Sequence, residues 1–322
     1  MKANKTIGIV APSYNLGFID PKLVSLGIKQ LSSLGCNVKI GKNVFSTIHN
    51  SAVAGAPSKR IEDIRAFLLD EEIDILMSVI GGYGSIQLLD ELDYNLIERA
   101  GKSFIGFSDT TTLLNAIYAK TSVNVFIGPA FVSFCNPWIP KETIDCFSRI
   151  VLNECSHYNY IQPANIYCDD WFLCPEKNRK TIHNKGYTFV KEGRATGPIV
   201  GGNLPSFLRL IGTQFMPKVD GCILLIEGIS GEKSDVFVDQ LYQLKIAGIL
   251  NKINGLIIGQ FGESHTFFDV DLISQYVSEV LSGMSYPVVV NASFSHVDPI
   301  YTIKLGASIT LDSVSNKIEI NM

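Results

Sequence analysis

The 322-residue chain is 46% hydrophobic and carries a formal net charge of −4, so it can bury a large core and lacks the basic footprint that nucleic-acid binding needs. No stretch approaches the ~18 apolar residues of a membrane span. The first residues, "MKANKTIGIVAPS", hold only a short apolar stretch before Pro12, too short for the core of a signal peptide, so a cytoplasmic protein without membrane contact is expected.

The N-terminal half alternates strand and helix signals. "TIGIVAPS" is a β-branched run that ends in a turn, "PKLVSLGIKQLSSLG" has helical spacing with a glycine stop, and "NVKIGKNV" is the next extended piece. "SKRIEDIRAFLLDEE" predicts an amphipathic helix with Ile61, Ile64, Phe67 and Leu68 on one face and Ser58 as its N-cap. "IDILMSVIGGYGS" is apolar enough for a strand buried on both faces, and "IQLLDELDYNLIERAG" predicts one helix after it. "SFIGF", a helix from Asp109 to Ala119, and "NVFIGPAF" complete the series, which argues for a parallel sheet covered on both faces.

Residues 151–190 are polar and aromatic without a sustained period and read as a long connection. Beyond it, "RATGPIVGGNLPSFLRLIGT", "GCILLIEGIS", "NGLIIGQF", "YPVVVNASF", "YTIKLGASITLD" and "NKIEINM" contain further strands, with helices near 234–247 and 269–282. The expected organisation is an α/β fold: an N-terminal domain over 1–160, a connecting loop over 161–189 and a C-terminal domain over 190–322.

Seven cysteines (Cys36, Cys135, Cys146, Cys155, Cys168, Cys174 and Cys222) form no CxxC, which favours reduced thiols and no metal site. Ligands of open parallel sheets sit beyond the carboxyl ends of the strands, and Ser108 lies at such an end. On a sharp strand-to-helix turn a serine projects its Oγ clear of the backbone, and the N–H groups of the helix start can hold an oxyanion. Gly106 supplies the small residue two positions before it, whereas Thr110 departs from G-x-S-x-G; a simple helix cap is the alternative reading. The "IGGYGS" turn brings backbone N–H groups close to an anion or serves only as a structural turn, and it lacks a Walker lysine.

A serine nucleophile needs a base and an orienting carboxylate. Of His49, His157, His183, His265 and His296, the last follows the strand "YPVVV" and is best placed. Glu227 finishes the apolar strand "CILLIE", where an unpaired charge is costly.

Taken in order, "TIGIVAPS", "GGYGSIQLLDELDY", "IGFSDTTTLLNAIYAKTSVNVFIGPAF", "GPIVGGNLPSFLRLIGT", "ILLIEGISGE" and "NASFSHVDPIYTIKLGASITLD" resemble the signature segments of the LD-carboxypeptidase family of serine peptidases. The resemblance implies a parallel-sheet N-terminal domain with flanking helices and a C-terminal α/β domain with barrel-like β structure, commonly in a homodimer. It also implies a Ser108–Glu227–His296 triad, an oxyanion hole from the backbone amides of Gly82 and Asp109, and no cofactor.

The implied partner is a small peptide-like substrate. Murein-recycling members typically carry Arg where this chain has Ile80, and often an acid where it has Gly228. "DDWFLCPEKN", "YAKTSVNVFIGPAF" and "EGRATGPIVGGNL" are more similar to the microcin C self-immunity branch, in which a loop tryptophan stacks on adenine. Trp171 takes that position, with packing on the domain surface as the other reading, and Tyr83 is a second expected substrate contact. Cleavage of a peptidyl or aminoacyl nucleotide is thus expected first, release of D-alanine from a murein tetrapeptide second, and non-catalytic binding of a nucleotide or sugar phosphate third.

Overall fold

The computed structural model describes residues 5–48, 51–168, 171, 179–229 and 231–321; His49 and Cys174 lie outside these. Two compact units emerge: the first comprises 1–139, 170–178 and 213–216, the second 140–169, 179–212 and 217–322.

In the first unit, β1 (Thr6–Val10), β2 (Asn37–Ile40), β3 (Ile75–Ser78), β4 (Ser103–Gly106) and β5 (Val125–Ile127) run in the order β2-β1-β3-β4-β5, all parallel. Every residue of β1 and β3 is buried, as their largely apolar runs require. Each fully buried Ile or Leu there contributes about 1.5–3 kcal/mol. The helices are α1 (Pro21–Ser33), α2 (Pro57–Leu69), α3 (Tyr94–Ala100), α4 (Thr111–Lys120) and the short α5 (Phe131–Phe134). In this strand order the direction of winding reverses between β1 and β3, and ligands of such sheets bind at the carboxyl ends there. The two loops that leave those ends are "PSYN", after β1, and "GGYGS", after β3.

Two local expectations need correction. α2 starts with Ala56 as N-cap and Pro57 at N1, so Ser58 lies inside the helix, where a proline at the first position has no N–H to satisfy. The single helix expected over "IQLLDELDYNLIERAG" is a 3₁₀ turn, Ser85–Leu88, followed by α3. Asp93 divides them, because its carboxylate accepts the Leu96 N–H and restarts the helix as an N-cap.

The second unit is built on an eight-stranded mixed sheet. Its strands are β6 (His157–Asn159), β9 (Thr188–Lys191), β10 (Arg194–Asn203), β11 (Ile223–Glu227), β12 (Gly255–Gly259), β13 (Val288–Ala292), β15 (Ser308–Asp312) and β16 (Lys317–Asn321). The order is β6-β16-β15-β10-β11-β12-β13-β9. β7 (Asn165–Ile166) and β8 (Ile182–His183) form a small hairpin of their own, and β14 (Ile303–Lys304) is a two-residue strand. The helices are α6 (Lys141–Phe147), α7 (Leu204–Leu208), α8 (Ser234–Ile246) and α9 (Val270–Val280).

β10 pairs antiparallel with β15 through Arg194–Pro198 and parallel with β11 through Ile199–Asn203. That second register sets Asn203 opposite Glu227 at the carboxyl ends of the two strands. The stretch expected as an irregular connection therefore contains strands, since β6 adds to the C-terminal strand β16 and so depends on a partner about 160 residues away. Among the described residues no helix is long and apolar enough to cross a membrane.

Candidate active site

Ser108 follows β4 with φ +61°, a left-handed conformation that costs a non-glycine residue free energy and recurs at nucleophile turns. A 3₁₀ turn, Ser108–Thr110, leads from it into α4, so the helix proper starts two residues later than its sequence pattern suggests. Thr110 donates from Oγ1 to the Phe107 carbonyl at 2.7 Å and stabilises the turn. Gly106 has no room for a side chain: a Cβ there would lie 2.5 Å from Thr110 Oγ1 and 2.6 Å from Ser78 Oγ.

The two glycines of the neighbouring turn have different tasks. A Cβ on Gly81 would sit 2.4 Å from Ser108 Cβ and 2.7 Å from its Oγ, so Gly81 lets the turn approach the serine. Gly82, at φ +107°, faces the Tyr14 ring, which a Cβ would meet at 2.3 Å. Gly81→Ala is therefore expected to displace the Ser108 turn and lower kcat/KM tenfold or more while the protein still folds. Steady-state kinetics beside a thermal melt checks this, and unchanged kinetics would remove the turn from the site.

Asp109 is almost fully buried and ties three loops together. Its Oδ2 accepts from Ser13 Oγ at 2.7 Å and from the Ser85 N–H at 2.9 Å, while its backbone carbonyl accepts from Ser85 Oγ at 2.7 Å. Arg60, on the buried face of α2, adds a second tie. Its Nη1 donates to the carbonyls of Pro12 at 2.7 Å and Gly84 at 3.0 Å, and its Nη2 to Gln87 Oε1 at 2.5 Å. These buried hydrogen bonds make the turn rigid, although Arg60 Nε is itself buried without a partner among the described residues. The Tyr83 ring is exposed and lies 6.1 Å from that of Tyr14.

In the second unit, Glu227 ends β11 only 1% exposed and accepts on both oxygens. Oε2 is 2.7 Å from Nδ1 of His296, and Oε1 takes Nδ2 of Asn203 at 3.1 Å. Asn203, placed by its register, is also the N-cap of α7: its Oδ1 accepts the Ser206 N–H and, at 2.7 Å, Ser206 Oγ. Nothing in the sequence singled out Asn203, although "GGNLPS" carries the Asn-Leu-Pro signature of a helix start.

His296 sits in the turn after β13, a quarter exposed at its side chain. Two residues on, Asp298 exchanges backbone hydrogen bonds with Tyr167 and pairs with Arg179 at 2.6 Å, which also lies over the Tyr167 ring.

The other described histidines have different settings. His157 Nδ1 meets Asn321 at 2.7 Å on the surface, His183 belongs to β8, and buried His265 accepts the Phe267 N–H on Nδ1. Trp171 is half-buried. A carboxylate on Nδ1 makes that nitrogen a donor and leaves Nε2 as the basic one, the arrangement a general base needs.

The sequence matches the LD-carboxypeptidase N-terminal domain over residues 7–128 and the LD-carboxypeptidase C-terminal domain over 196–311. A putative carboxypeptidase of Treponema pallidum is 29% identical over 313 residues, covering 97% of this chain and 91% of that protein. The microcin C7 self-immunity protein MccF of Escherichia coli is 31% identical over 306 residues, covering 91% and 86%. Among solved structures, an MccF-like protein from Bacillus anthracis superposes with a TM-score of 0.92 at 29% identity, covering 100% of this chain and 98% of that one. MccF in complex with aspartyl sulfamoyl adenosine gives 0.90 at 27% identity, covering 100% and 97%.

Proposed function

Because the chain belongs to the LD-carboxypeptidase family, and so to the hydrolases, we propose that it is a serine peptidase that cleaves an amide-type bond in a small aminoacyl or peptidyl nucleotide. The observation that carries the chemistry is the 2.7 Å pairing of buried Glu227 with His296 Nδ1. Ser108 Oγ attacks the carbonyl carbon, and His296 Nε2 takes its proton. The backbone amides of Gly82 and Asp109 hold the oxyanion. His296 returns the proton to the leaving nitrogen as the acyl–nitrogen bond breaks. Water, deprotonated by the same imidazole, then releases the acid and restores Ser108.

Gly228 supports the nucleotide over a murein substrate. A Cβ there would lie 2.6 Å from the Phe261 ring and 3.2 Å from Glu232 Oε2, so the acidic side chain frequent in murein-recycling members has neither room nor charge compatibility. The MccF structure bound to an aminoacyl sulfamoyl nucleoside supports the same class. In this reading Trp171 stacks on the nucleobase, with Tyr83 a further contact. The enzyme works in the cytoplasm, in keeping with the free cysteines of the described residues, and as a homodimer, which rests on the resemblance alone.

Mass spectrometry of products tests it. Protein is incubated with a microcin-type aminoacyl adenylate analogue, its acyl group bonded to nitrogen, and, separately, with a murein tetrapeptide. Hydrolysis of the adenylate alone is expected; loss of D-alanine from the tetrapeptide alone would move the enzyme to cell-wall recycling. Trp171→Ala should weaken use of the adenylate by about 1–3 kcal/mol, the worth of one stacked base, without altering any activity toward a substrate that lacks one.

A further inference from the structure

A second carboxyl group reaches the residue that follows Glu227 and is coupled electrostatically to the Glu227–His296 pair. Glu232 stands in the loop between β11 and α8, its N–H donating to the Ile229 carbonyl and its Oε1 accepting from Gln240 Nε2 of α8 at 2.7 Å. Its Oε2 is buried, has no hydrogen-bond partner among the described residues, and points toward Gly228, the residue after Glu227. A carboxyl oxygen in that position is costly when charged.

We propose that Glu232 is a positioning residue for the base, its carboxyl charge setting the proton affinity of His296. The proposal rests on reading Glu227 and His296 as the catalytic pair and adds a third titrating group to it. Burial above all, and then the charge of Glu227, push the Glu232 carboxyl above the usual carboxylate range; the Gln240 hydrogen bond, a protonated His296 and the Ile229 backbone N–H pull it back.

Neutral Gln240 of α8 is hydrogen-bonded to Glu232, and the charges of Glu227, at the end of β11, and of His296, in the turn after β13, act on it electrostatically. Beyond β12 stands His265, whose own proton affinity burial lowers and the Glu232 backbone raises. Asp298, the other acid near His296 in sequence, is engaged by Arg179.

The direction follows. As pH rises through the elevated Glu232 value, a second negative charge joins that of Glu227 and favours the imidazolium. Ionised Glu232 thus keeps His296 protonated to higher pH and strengthens the imidazolium formed when Ser108 is attacked. In the absence of that charge the imidazole loses its proton earlier.

The test is an NMR titration of the His296 ring, assigned with His296→Asn, in wild type, Glu232→Gln and Gln240→Leu. In Glu232→Gln the midpoint should fall by about one pH unit, a roughly tenfold loss of proton affinity. The acid limb of kcat/KM should move with it. Gln240→Leu, which removes a hydrogen bond to the charged form, should move both the same way by less. A His296 midpoint unchanged in Glu232→Gln overturns the proposal, as does a lower melting temperature with neither midpoint nor acid limb moved; if Glu232→Gln does not fold, the same outcome in Gln240→Leu decides. Turnover that survives Ser108→Ala would instead overturn the catalytic reading beneath the proposal.

Discussion

Ser108→Ala should lower kcat/KM by about 10⁴-fold or more, because the hydroxyl is the only group the proposed mechanism uses to form the acyl-enzyme. The fold should be unaffected, since the hydrogen bonds by which Asp109, Thr110 and Arg60 hold the turn stay in place in the variant. A second substitution separates chemistry from strain. Ser108 holds φ +61°, so Ser108→Gly removes the same hydroxyl while relieving backbone strain of roughly 1 kcal/mol. Both variants should be inactive, and the glycine variant should melt higher than the alanine one. Wild-type turnover in Ser108→Ala, measured on the adenylate, would end the serine-peptidase reading. Covalent labelling of Ser108 that disappears in His296→Asn would give the complementary positive result.

The parts of the molecule legible in the sequence are those that local physics fixes. Strands such as "IDILMS", "CILLIE" and "GLIIG" announce themselves because a central parallel strand is buried on both faces and must be apolar throughout. Ser108 and His296 are legible because each is a polar residue placed just beyond such a run. Glu227 is legible for the opposite reason, as a charge that ends a buried strand and cannot remain unpaired.

What the chain hides is nonlocal. Asn203 meets Glu227 only through the β10–β11 register, and β6 exists only because β16 pairs with it. Arg60 reads as one more polar residue of an amphipathic helix, yet it is 2% exposed and supports the "GGYG" turn from below. The acidic stretch "DELDY" conceals a helix restart, since Asp93 acts through a cap that helical periodicity cannot detect. Turn geometry is hidden in the same way. Two adjacent glycines are visible, but only the folded chain sets Gly81 against the serine and Gly82 against Tyr14.

The register that hides Asn203 also determines what Glu227→Gln will do. The substitution keeps size and shape and replaces one oxygen by an amide nitrogen, so its effect depends on which way the amide turns. Asn203 Nδ2 donates to one oxygen of Glu227, and an amide nitrogen there would set donor against donor in a buried site. The introduced amide therefore keeps its oxygen toward Asn203 and presents its NH₂ to His296 Nδ1. That nitrogen must then accept, the ring proton moves to Nε2, and the imidazole reaches the serine as a donor unable to take its proton. The expected loss in kcat is about 10³–10⁴-fold with little change in KM, the size seen when a triad acid is made an amide. Glu227→Ala should be less selective, since it also leaves Asn203 without its acceptor and lowers stability by about 1–3 kcal/mol. Activity in Glu227→Gln within tenfold of wild type would mean that the carboxylate only packs against the ring and that His296 obtains its tautomer from elsewhere.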